Sequence, residues 1–357
     1  MIFLINIGVT RFYMKKLLAV DLDGTLFYPQ RRFALMTRKN LKFLKDFIAD
    51  GNEVVVATGR NCRMLKKIEK KLGTKLTMIG CKGSFTRTDD KFLASHPLDS
   101  KKAASIFVEA SNRFGIQAWT LMDDSEYNFI YFNVIPRIST ILLKIHYILK
   151  FQYKELTNVN KKKFVERIKN GPVYKLMPVF GLGKKAEARA IEANGPLNEM
   201  FSDFAELAIS GTVIEITSKG SSKGNALMDY AKSRGYSIDD VYCVGDTSND
   251  ISMFKQFPHS FVMAHSPKWV KDHACHEVNR VSDIRKYIDN PNLTENDMNF
   301  FLKHKDDPIK PRLFSFFVST NPNQELIIGI KLIFLIVNFM SNIIHFVSNE
   351  KTFGGIK

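Results

Sequence analysis

The sequence predicts an α/β protein built on a Rossmann-like, doubly wound parallel sheet. Two short apolar segments, Leu17 to Val20 and Glu53 to Ala57, are typical of strands buried on both faces of such a sheet. A helical pattern follows each of them, and a third short strand is predicted at Leu76 to Ile79. Strands that alternate with helices in this way indicate a parallel sheet with helices on both faces.

The composition is that of a globular protein with room for two domains. The chain has 357 residues, of which 45% are hydrophobic, and its net charge is +16. The basic residues follow helical spacing without a zinc-finger pattern or an arginine-rich tail, so we expect solvated helix faces and no nucleic-acid partner. Four cysteines without a Cys-x-x-Cys pair, and no convincing secretory signal, predict a cytoplasmic protein.

Two carboxylates, Asp21 and Asp23, follow the first predicted strand directly, and Gly24 then permits a sharp turn. Ligands of open α/β sheets bind at the carboxyl ends of the strands, where these two acids stand. An Asp-x-Asp-Gly stretch also begins many calcium loops. A calcium loop would need a glutamate about nine residues after Asp23, but the region holds Arg31 to Phe33. We therefore disfavour calcium.

Polar residues also stand at the ends or starts of three later elements. They are Thr58 after the second strand, Lys223 at a helix start, and Asp246, Asn249 and Asp250 after the apolar stretch Val241 to Val244. A parallel sheet would bring the strand ends to one edge. The set contains carboxylates for a hard cation, a carboxylate nucleophile, and a hydroxyl and an ammonium for phosphate oxygens.

With these residues the chain resembles the haloacid dehalogenase-like (HAD) phosphatases, specifically the Cof-type hydrolases. The resemblance spans about residues 14–289 and rests on four motifs in the family's order. These motifs are Asp21-Leu-Asp-Gly-Thr25, Thr58-Gly-Arg60, Lys223-Gly224 and Gly245-Asp-Thr-Ser-Asn-Asp250.

The resemblance implies a Mg²⁺-dependent phosphatase of small phosphorylated metabolites, with sugar phosphates as the expected class. Asp21 would be the nucleophile that forms an aspartyl-phosphate, and Asp23 the general acid and base. Mg²⁺ would be held by Asp21, the backbone carbonyl of Asp23 and Asp246, with Asp250 as a direct or water-mediated ligand.

The resemblance also implies which residues contact the substrate. Thr58, Lys223 and Asn249 would bind the phosphoryl group. Arg60, Lys82 and Gly83 are candidate contacts to the remainder of the substrate. The chain departs from the family at Lys82-Gly83, where Asn-Gly is usual, and at His265-Ser266, where Asn-Ala is usual.

Two alternative functions stay open from the sequence. A phosphotransferase or phosphomutase of the same superfamily would use the same residues, because an acid at the position of Asp23 suits both outcomes. A non-catalytic regulatory protein could use the same cleft to bind a ligand. The intact motifs favour hydrolysis.

The sequence divides into five predicted segments, and the resemblance covers the middle three. They are an upstream extension (1–13), the first part of the core (14–83), an inserted α/β cap domain (84–216), the second part of the core (217–291) and a C-terminal tail (292–357) that is polar and loop-like up to residue 325. Within the tail, we expect residues 326–347 to form an apolar helix long enough to span a bilayer. Lys331 and other polar residues weaken that interpretation, and docking on the core, docking on another subunit or a frame-derived extension are the alternatives.

Overall fold

The computed structural model describes residues 15–29, 35–89, 91–133 and 156–307. In these residues, fourteen strands form two sheets, one of eight strands and one of six. Helices cover both faces of the larger sheet, so the predicted α/β class with a doubly wound core is confirmed.

The larger sheet runs in the order β14 (His276–Val278), β13 (His259–Met263), β12 (Val241–Gly245), β1 (Leu17–Val20), β2 (Glu53–Ala57), β3 (Thr77–Gly80), β4 (Phe85–Thr88) and β5 (Lys91–Ser95). The strands from β14 to β3 are parallel to one another. β4 and β5 add two antiparallel strands at the edge.

The predicted start of the cap domain at residue 84 is wrong, because β4 and β5 belong to the first sheet. The chain turns back sharply after β3, so that β4 pairs with it antiparallel and its residues Phe85 to Arg87 are buried. No sequence periodicity distinguishes an edge hairpin of one sheet from the first strands of the next. The second sheet begins at residue 118.

The helices described are α1 (Arg38–Ala49), α2 (Arg63–Leu72), α3 (Ser100–Arg113), α4 (Lys161–Asn170), α5 (Lys184–Phe201), α6 (Lys223–Ser233), α7 (Ile251–Phe254), α8 (Lys268–Lys271), α9 (Arg285–Asp289) and α10 (Asp297–His304). Thr37 begins α1 as predicted, since its side chain accepts a hydrogen bond from the backbone N–H of Asn40 at 3.1 Å.

Alternating residues of β1 explain why helices pack on both faces of the first sheet. Leu18 and Val20 lie in one apolar cluster, together with buried residues of α1 and α2. Leu17 and Ala19 lie in the opposite cluster, with Leu227 and other residues of α6. Because both faces of the strand are buried, apolar residues are favoured at every position, which explains its continuous apolar sequence.

The second sheet runs in the order β10 (Ala205–Ser210), β11 (Val213–Ser218), β9 (Lys175–Val179), β6 (Ala118–Met122), β7 (Asn128–Phe132) and β8 (Leu156–Asn158). The helices α3, α4 and α5 share one apolar cluster with alternate residues of these strands, including Trp119, Leu176 and Ile216. The other face of the sheet carries the intervening residues.

Two predicted segments lie outside the described residues, namely the extension at 1–13 and the apolar helix at 326–347. In the part of the chain that the structure describes, no helix is both long and apolar enough to cross a membrane. The prediction of a polar, loop-like stretch from residue 292 is wrong at its start, because Asp297–His304 forms a helix.

Helix α10 is held to the first sheet by a buried carboxylate. Asp297 contacts Nδ1 of His259 at 2.8 Å and Nε2 of His276 at 2.6 Å. The two histidines begin the neighbouring strands β13 and β14. Burial by itself raises the pKa of Asp297, but the hydrogen bonds to the two histidines outweigh burial and lower that pKa below 3.8.

We expect Asp297 to make stability depend on pH. Because its folded-state pKa is depressed, the carboxylate stabilises the fold fully above its ordinary pKa, and this contribution disappears as the pH falls through the folded-state value. Asp297→Asn should lower the free energy of unfolding at neutral pH by about 1–3 kcal/mol and flatten its decline in acid. Denaturant unfolding at pH 7, 5 and 3 measures both effects.

The exposed neighbour Glu295 supplies the matched control, since Glu295→Gln removes a carboxylate that no buried partner contacts among the described residues. Its unfolding curves should follow the wild type. Equal effects of the two substitutions would contradict the buried contact.

Candidate active site

Three predicted site residues stand at the carboxyl ends of adjacent parallel strands. Asp21 follows β1, Thr58 follows β2 and Asp246 follows β12. The register pairs Val20 with both Val56 and Val244, so the three strands end at nearly the same level. The structure therefore brings these residues to one edge of the sheet, as the sequence predicted.

The turn after Asp21 requires glycine at position 24. Gly24 has a φ of +77°, and a Cβ there would lie 2.1 Å from Oδ2 of Asp246. A side chain would therefore be strained and would also displace the carboxylate. The next residue, Thr25, donates from its hydroxyl to Oδ1 of Asp246 at 3.1 Å. The turn thus positions Asp246 from the neighbouring strand.

Lys223 lies completely buried between two carboxylates. Its ammonium donates to Oδ1 of Asp21 at 2.6 Å and to Oδ1 of Asp250 at 2.7 Å. Burial alone lowers the pKa of Lys223, but the two carboxylates outweigh burial and raise that pKa above its ordinary value. The ammonium is therefore charged at neutral pH and joins the two strand ends.

The N-terminus of α6 can bring Lys223 between the two carboxylates because the next residue, Gly224, has no side chain. A Cβ on Gly224 would lie 2.0 Å from the backbone oxygen of Ser252 in α7. Ser222 caps α6 by accepting from the N–H of Asn225 at 3.1 Å. The Lys223-Gly224 pair therefore combines a charged group with the close helix contact that places it.

Asp250 is a buried acceptor behind the other carboxylates. Its Oδ2 accepts from the backbone N–H groups of Asp246 and Thr247, both at 3.0 Å, while its Oδ1 accepts from Lys223. Both oxygens of Asp250 are thus engaged by the protein. This arrangement fits an orienting role better than that of a primary ligand.

The carboxylates repel one another in the absence of a cation. Burial, followed by Asp250, raises the pKa of Asp246 to about 7. Burial also raises the pKa of Asp21 well above its usual value, although the charge of Lys223 opposes this rise. Ligand oxygens of the three aspartates lie within 4.8 Å of one another. Hard carboxylate oxygens at this spacing suit a divalent cation such as Mg²⁺.

Asp23 and Arg60 form a bidentate ion pair at the open side of the site. Arg60 donates from Nε to Oδ2 of Asp23 at 2.6 Å and from Nη2 to Oδ1 at 2.7 Å. The Asp23 side chain is 48% exposed. Arg60 was a candidate substrate contact, and the structure shows its guanidinium paired with the carboxylate of Asp23. The carboxylate of Asp23 is outside the three-aspartate cluster.

The remaining predicted residues line the same edge. Thr58 is buried, and its hydroxyl accepts from the N–H of Arg60 at 3.2 Å. Asn249 Oδ1 accepts from the hydroxyl of Thr247 at 2.7 Å, and its Nδ2 is directed toward Gly59, 4.0 Å from the position of a Cβ there.

The loop of Lys82 and Gly83 adjoins these residues. The N–H of Lys82 donates to the carbonyl of Thr58 at 3.1 Å. A Cβ on Gly83 would lie 2.2 Å from the backbone oxygen of Ser222, next to Lys223. The two predicted contact positions are therefore beside the phosphate-binding candidates.

Sequence reasoning missed two charged residues of the second sheet, Lys175 and Glu215. Lys175 is 1% exposed and donates from Nζ to the carbonyl of Gly59 at 2.7 Å. Oε1 of Glu215 lies 3.4 Å from Nζ of Lys175, and Oε2 of Glu215 lies 3.5 Å from Nζ of Lys82. The available signal was a charged residue within an otherwise apolar strand, since burying a charge requires a partner.

His265, one of the positions where the chain departs from the family it resembles, lies beside the carboxylate cluster. Its Nε2 lies 3.5 Å from Oδ2 of Asp246, and its ring stacks on Tyr28 with centroids 4.1 Å apart. The histidine therefore borders the carboxylate cluster directly. This contact was not predictable from the sequence, because Tyr28 and His265 are far apart in the chain.

We expect Gly24→Ala to destabilise the fold far more than Gly51→Ala. Both glycines have positive φ, but a Cβ on Gly51 meets no atom within 4 Å. Gly51→Ala therefore measures the backbone strain alone, about 1 kcal/mol. Gly24→Ala adds the collision with Asp246 and should exceed that loss by about 2 kcal/mol or more. Equal losses in denaturant unfolding would contradict the close approach.

Comparison with known proteins identifies the family. The sequence model of a family described as haloacid dehalogenase-like hydrolase matches residues 18–284. Phosphatase YwpJ of Bacillus subtilis (strain 168) is 26% identical over 268 residues, covering 72% of this chain and 92% of YwpJ. The 5-amino-6-(5-phospho-D-ribitylamino)uracil phosphatase YcsE of the same organism is 22% identical over 259 residues, covering 72% of this chain and 88% of YcsE.

A solved structure shares the fold. The HAD subclass IIB sugar phosphatase BT4131 matches with a TM-score of 0.62 and 17% identity, over 77% of this chain and 99% of its own. Because the family model covers most of the sequence and the curated relatives are phosphatases, this chain belongs to the haloacid dehalogenase-like hydrolases and is a Cof-type phosphatase.

Proposed function

We propose that the protein is a Mg²⁺-dependent phosphatase of small phosphorylated metabolites, with sugar phosphates as its substrate class, and that it acts through an aspartyl-phosphate on Asp21. The observation that carries this proposal is the buried contact of 2.6 Å between Asp21 and Lys223, beside Asp246 and Asp250. A carboxylate held by an ammonium at a strand end is placed to meet a phosphoryl group there.

Asp21 supplies the nucleophile. Its Oδ1 is held by Lys223, and among the described residues no hydrogen bond reaches Oδ2. In the first step Oδ2 forms a bond to phosphorus, and the bond from phosphorus to the leaving oxygen breaks. In the second step water attacks phosphorus, and the aspartate is regenerated with release of phosphate.

Asp23 handles the protons of both steps. It protonates the leaving oxygen first and then accepts a proton from the attacking water. Arg60 orients both of its oxygens, and each oxygen keeps a second lone pair for proton exchange. Arg60 thus acts as a positioning residue for Asp23.

Lys223, Thr58 and Asn249 hold the phosphoryl oxygens. Lys223 offsets negative charge that develops in the transition state, in a site where burial strengthens electrostatic contacts. Thr58 directly precedes Gly59, and the Asn249 amide lies near Gly59, so a hydroxyl and an amide are available there as donors.

The donor set fits a divalent cation. Asp21, Asp246 and the backbone carbonyl of Asp23 would hold Mg²⁺, with Asp250 orienting Asp246 through its backbone N–H. When bound, the ion would offset repulsion between the carboxylates and an anionic substrate. The pKa values of Asp21 and Asp246 are raised mainly by burial and further by the neighbouring carboxylates, and a bound cation would favour the charged form of both groups.

The second sheet serves as a cap over this edge in our proposal. Lys175 and Glu215 connect it to the loops of Gly59 and Lys82. A cap that closes over the site excludes water and selects the substrate. The choice of sugar phosphates is supported by the names of BT4131, a sugar phosphatase, and of YcsE, whose substrate carries a phosphorylated ribityl group.

Phosphate release from a panel of sugar phosphates tests the proposal. We expect turnover with Mg²⁺, its loss on treatment with a chelator, and its recovery when Mg²⁺ is restored. Asp21→Asn should reduce turnover by about a thousandfold or more, because it removes the nucleophile. The exposed Asp239→Asn is the matched control and should retain wild-type turnover.

Labelled phosphate separates the alternatives. Acid quenching during turnover should trap the label on the wild-type protein and not on Asp21→Asn. Transfer of the label to a second sugar hydroxyl in preference to water would replace hydrolysis by a phosphotransferase or mutase. No release from any substrate would favour a non-catalytic ligand-binding protein.

A further inference from the structure

Three charged side chains join the second sheet to the active-site loops, and the catalytic steps proposed above use none of them. Lys175 is buried, while the side chains of Lys82 and Glu215 are 15% and 18% exposed. Lys175 comes from β9, Glu215 from β11, and Lys82 from the loop after β3. We call this set the Lys–Glu–Lys cluster.

The cluster adjoins the candidate phosphate site. Lys175 Nζ donates to the carbonyl of Gly59 at 2.7 Å, and a Cβ on Gly59 would lie 3.5 Å from Lys175 Nζ and 3.9 Å from Lys82 Cγ. Gly59 directly follows Thr58 in the chain. A molecule whose phosphoryl group is held by Thr58 would therefore extend past the cluster.

The strand pattern places further polar groups on the same face of the second sheet. Leu176 pairs with Ile216, and both pack toward the helices. Lys175 and Thr217, one residue along each strand, therefore face the opposite way. The buried hydroxyl oxygens of Thr217 and Thr120 have no hydrogen-bond partner among the described residues. Such orphaned donors are expected where a ligand or water completes a polar surface.

The charges of the cluster do not balance. Two ammonium groups share the single carboxylate of Glu215, and Lys82 contacts it at 3.5 Å with no other acidic contact among the residues described. Burial lowers the pKa of Lys82, with Glu215 opposing this shift and the nearby Lys175 and Lys223 adding to it. A second anion in the cleft would supply the missing negative charge.

We propose that Lys82, supported by Lys175 and Glu215, binds a second anionic group, a carboxylate or a phosphate, on the leaving group of the substrate. This inference rests on the proposed phosphatase function and adds the chemistry of the substrate to it. Lys82 is then a specificity-determining residue of the chain.

A purely structural clamp is the competing explanation. In that case the cluster would hold the two sheets together, and its loss would weaken all ligands equally. The difference between the two explanations lies in a ratio of affinities, which a general loss of stability does not change.

The experiment measures binding by calorimetry to the full chain carrying Asp21→Asn, with Mg²⁺ at fixed salt. The ligands are sorbitol 6-phosphate, 6-phosphogluconate and sorbitol 1,6-bisphosphate. They share an open six-carbon chain and differ at C1, which carries a hydroxyl, a carboxylate or a phosphate. We expect at least one anionic ligand to bind about tenfold more tightly than sorbitol 6-phosphate.

Two substitutions at position 82 then assign the preference. Lys82→Asn removes the charge, so the affinity ratio should fall to about one. Asparagine also suits the left-handed backbone at position 82, where φ is 63°. Lys82→Arg keeps the charge and should keep a preference. The exposed Lys232→Asn, matched in charge, should leave the ratio unchanged.

The outcomes separate this inference from the proposed function. Preference for 6-phosphogluconate identifies a carboxylate, and preference for the bisphosphate identifies a second phosphate. Anionic ligands that bind no more tightly than sorbitol 6-phosphate, or not at all, overturn the inference, as does a ratio that survives Lys82→Asn. The proposed function is judged separately, by phosphate release from the wild type.

Discussion

The buried ammonium of Lys223 is the interaction on which the site depends. It joins Asp21 of one strand end to Asp250 behind another, at 2.6 and 2.7 Å. Burying any one of these three charged groups alone would be costly, since a buried charge needs a partner. Buried together, the ammonium and the two carboxylates offset one another's charge. The close packing of α6 on α7 at Gly224, and the turns after β1 and β12, bring these groups together.

A second set of contacts links this site to the sheet above it. Lys175 reaches from β9 to the carbonyl of Gly59, between Thr58 and Arg60. The position of the second sheet and the shape of this loop therefore influence one another. Since Arg60 in turn holds Asp23, the positions of Asp23 and of the second sheet are linked by one short chain of contacts.

The placement of most candidate site residues was predictable because the physics that determines it is local. An apolar strand, a polar residue at its end and a glycine at the turn leave a pattern within ten residues, as at Asp21 and at Asp246. The parallel sheet then brings such ends together without further information. The identity of the partners was harder to predict. The guanidinium of Arg60 pairs with Asp23, 37 residues earlier in the chain, and the sequence did not predict this contact.

The sequence by itself determined the fold class, the parallel arrangement of the core strands and the candidate site residues at the sheet edge, since each follows from periodicity or from a compact motif. Tertiary structure decided where the first sheet ends. The hairpin of β4 and β5 pairs with β3 because the chain turns back beside it, and hydrophobic periodicity carries no information about which strand is the neighbour. Tertiary structure also decided that Lys175 and Glu215 join the site. A charged residue in an apolar strand signals that a partner exists, but the partner is supplied by the other sheet, and only folding brings the two together.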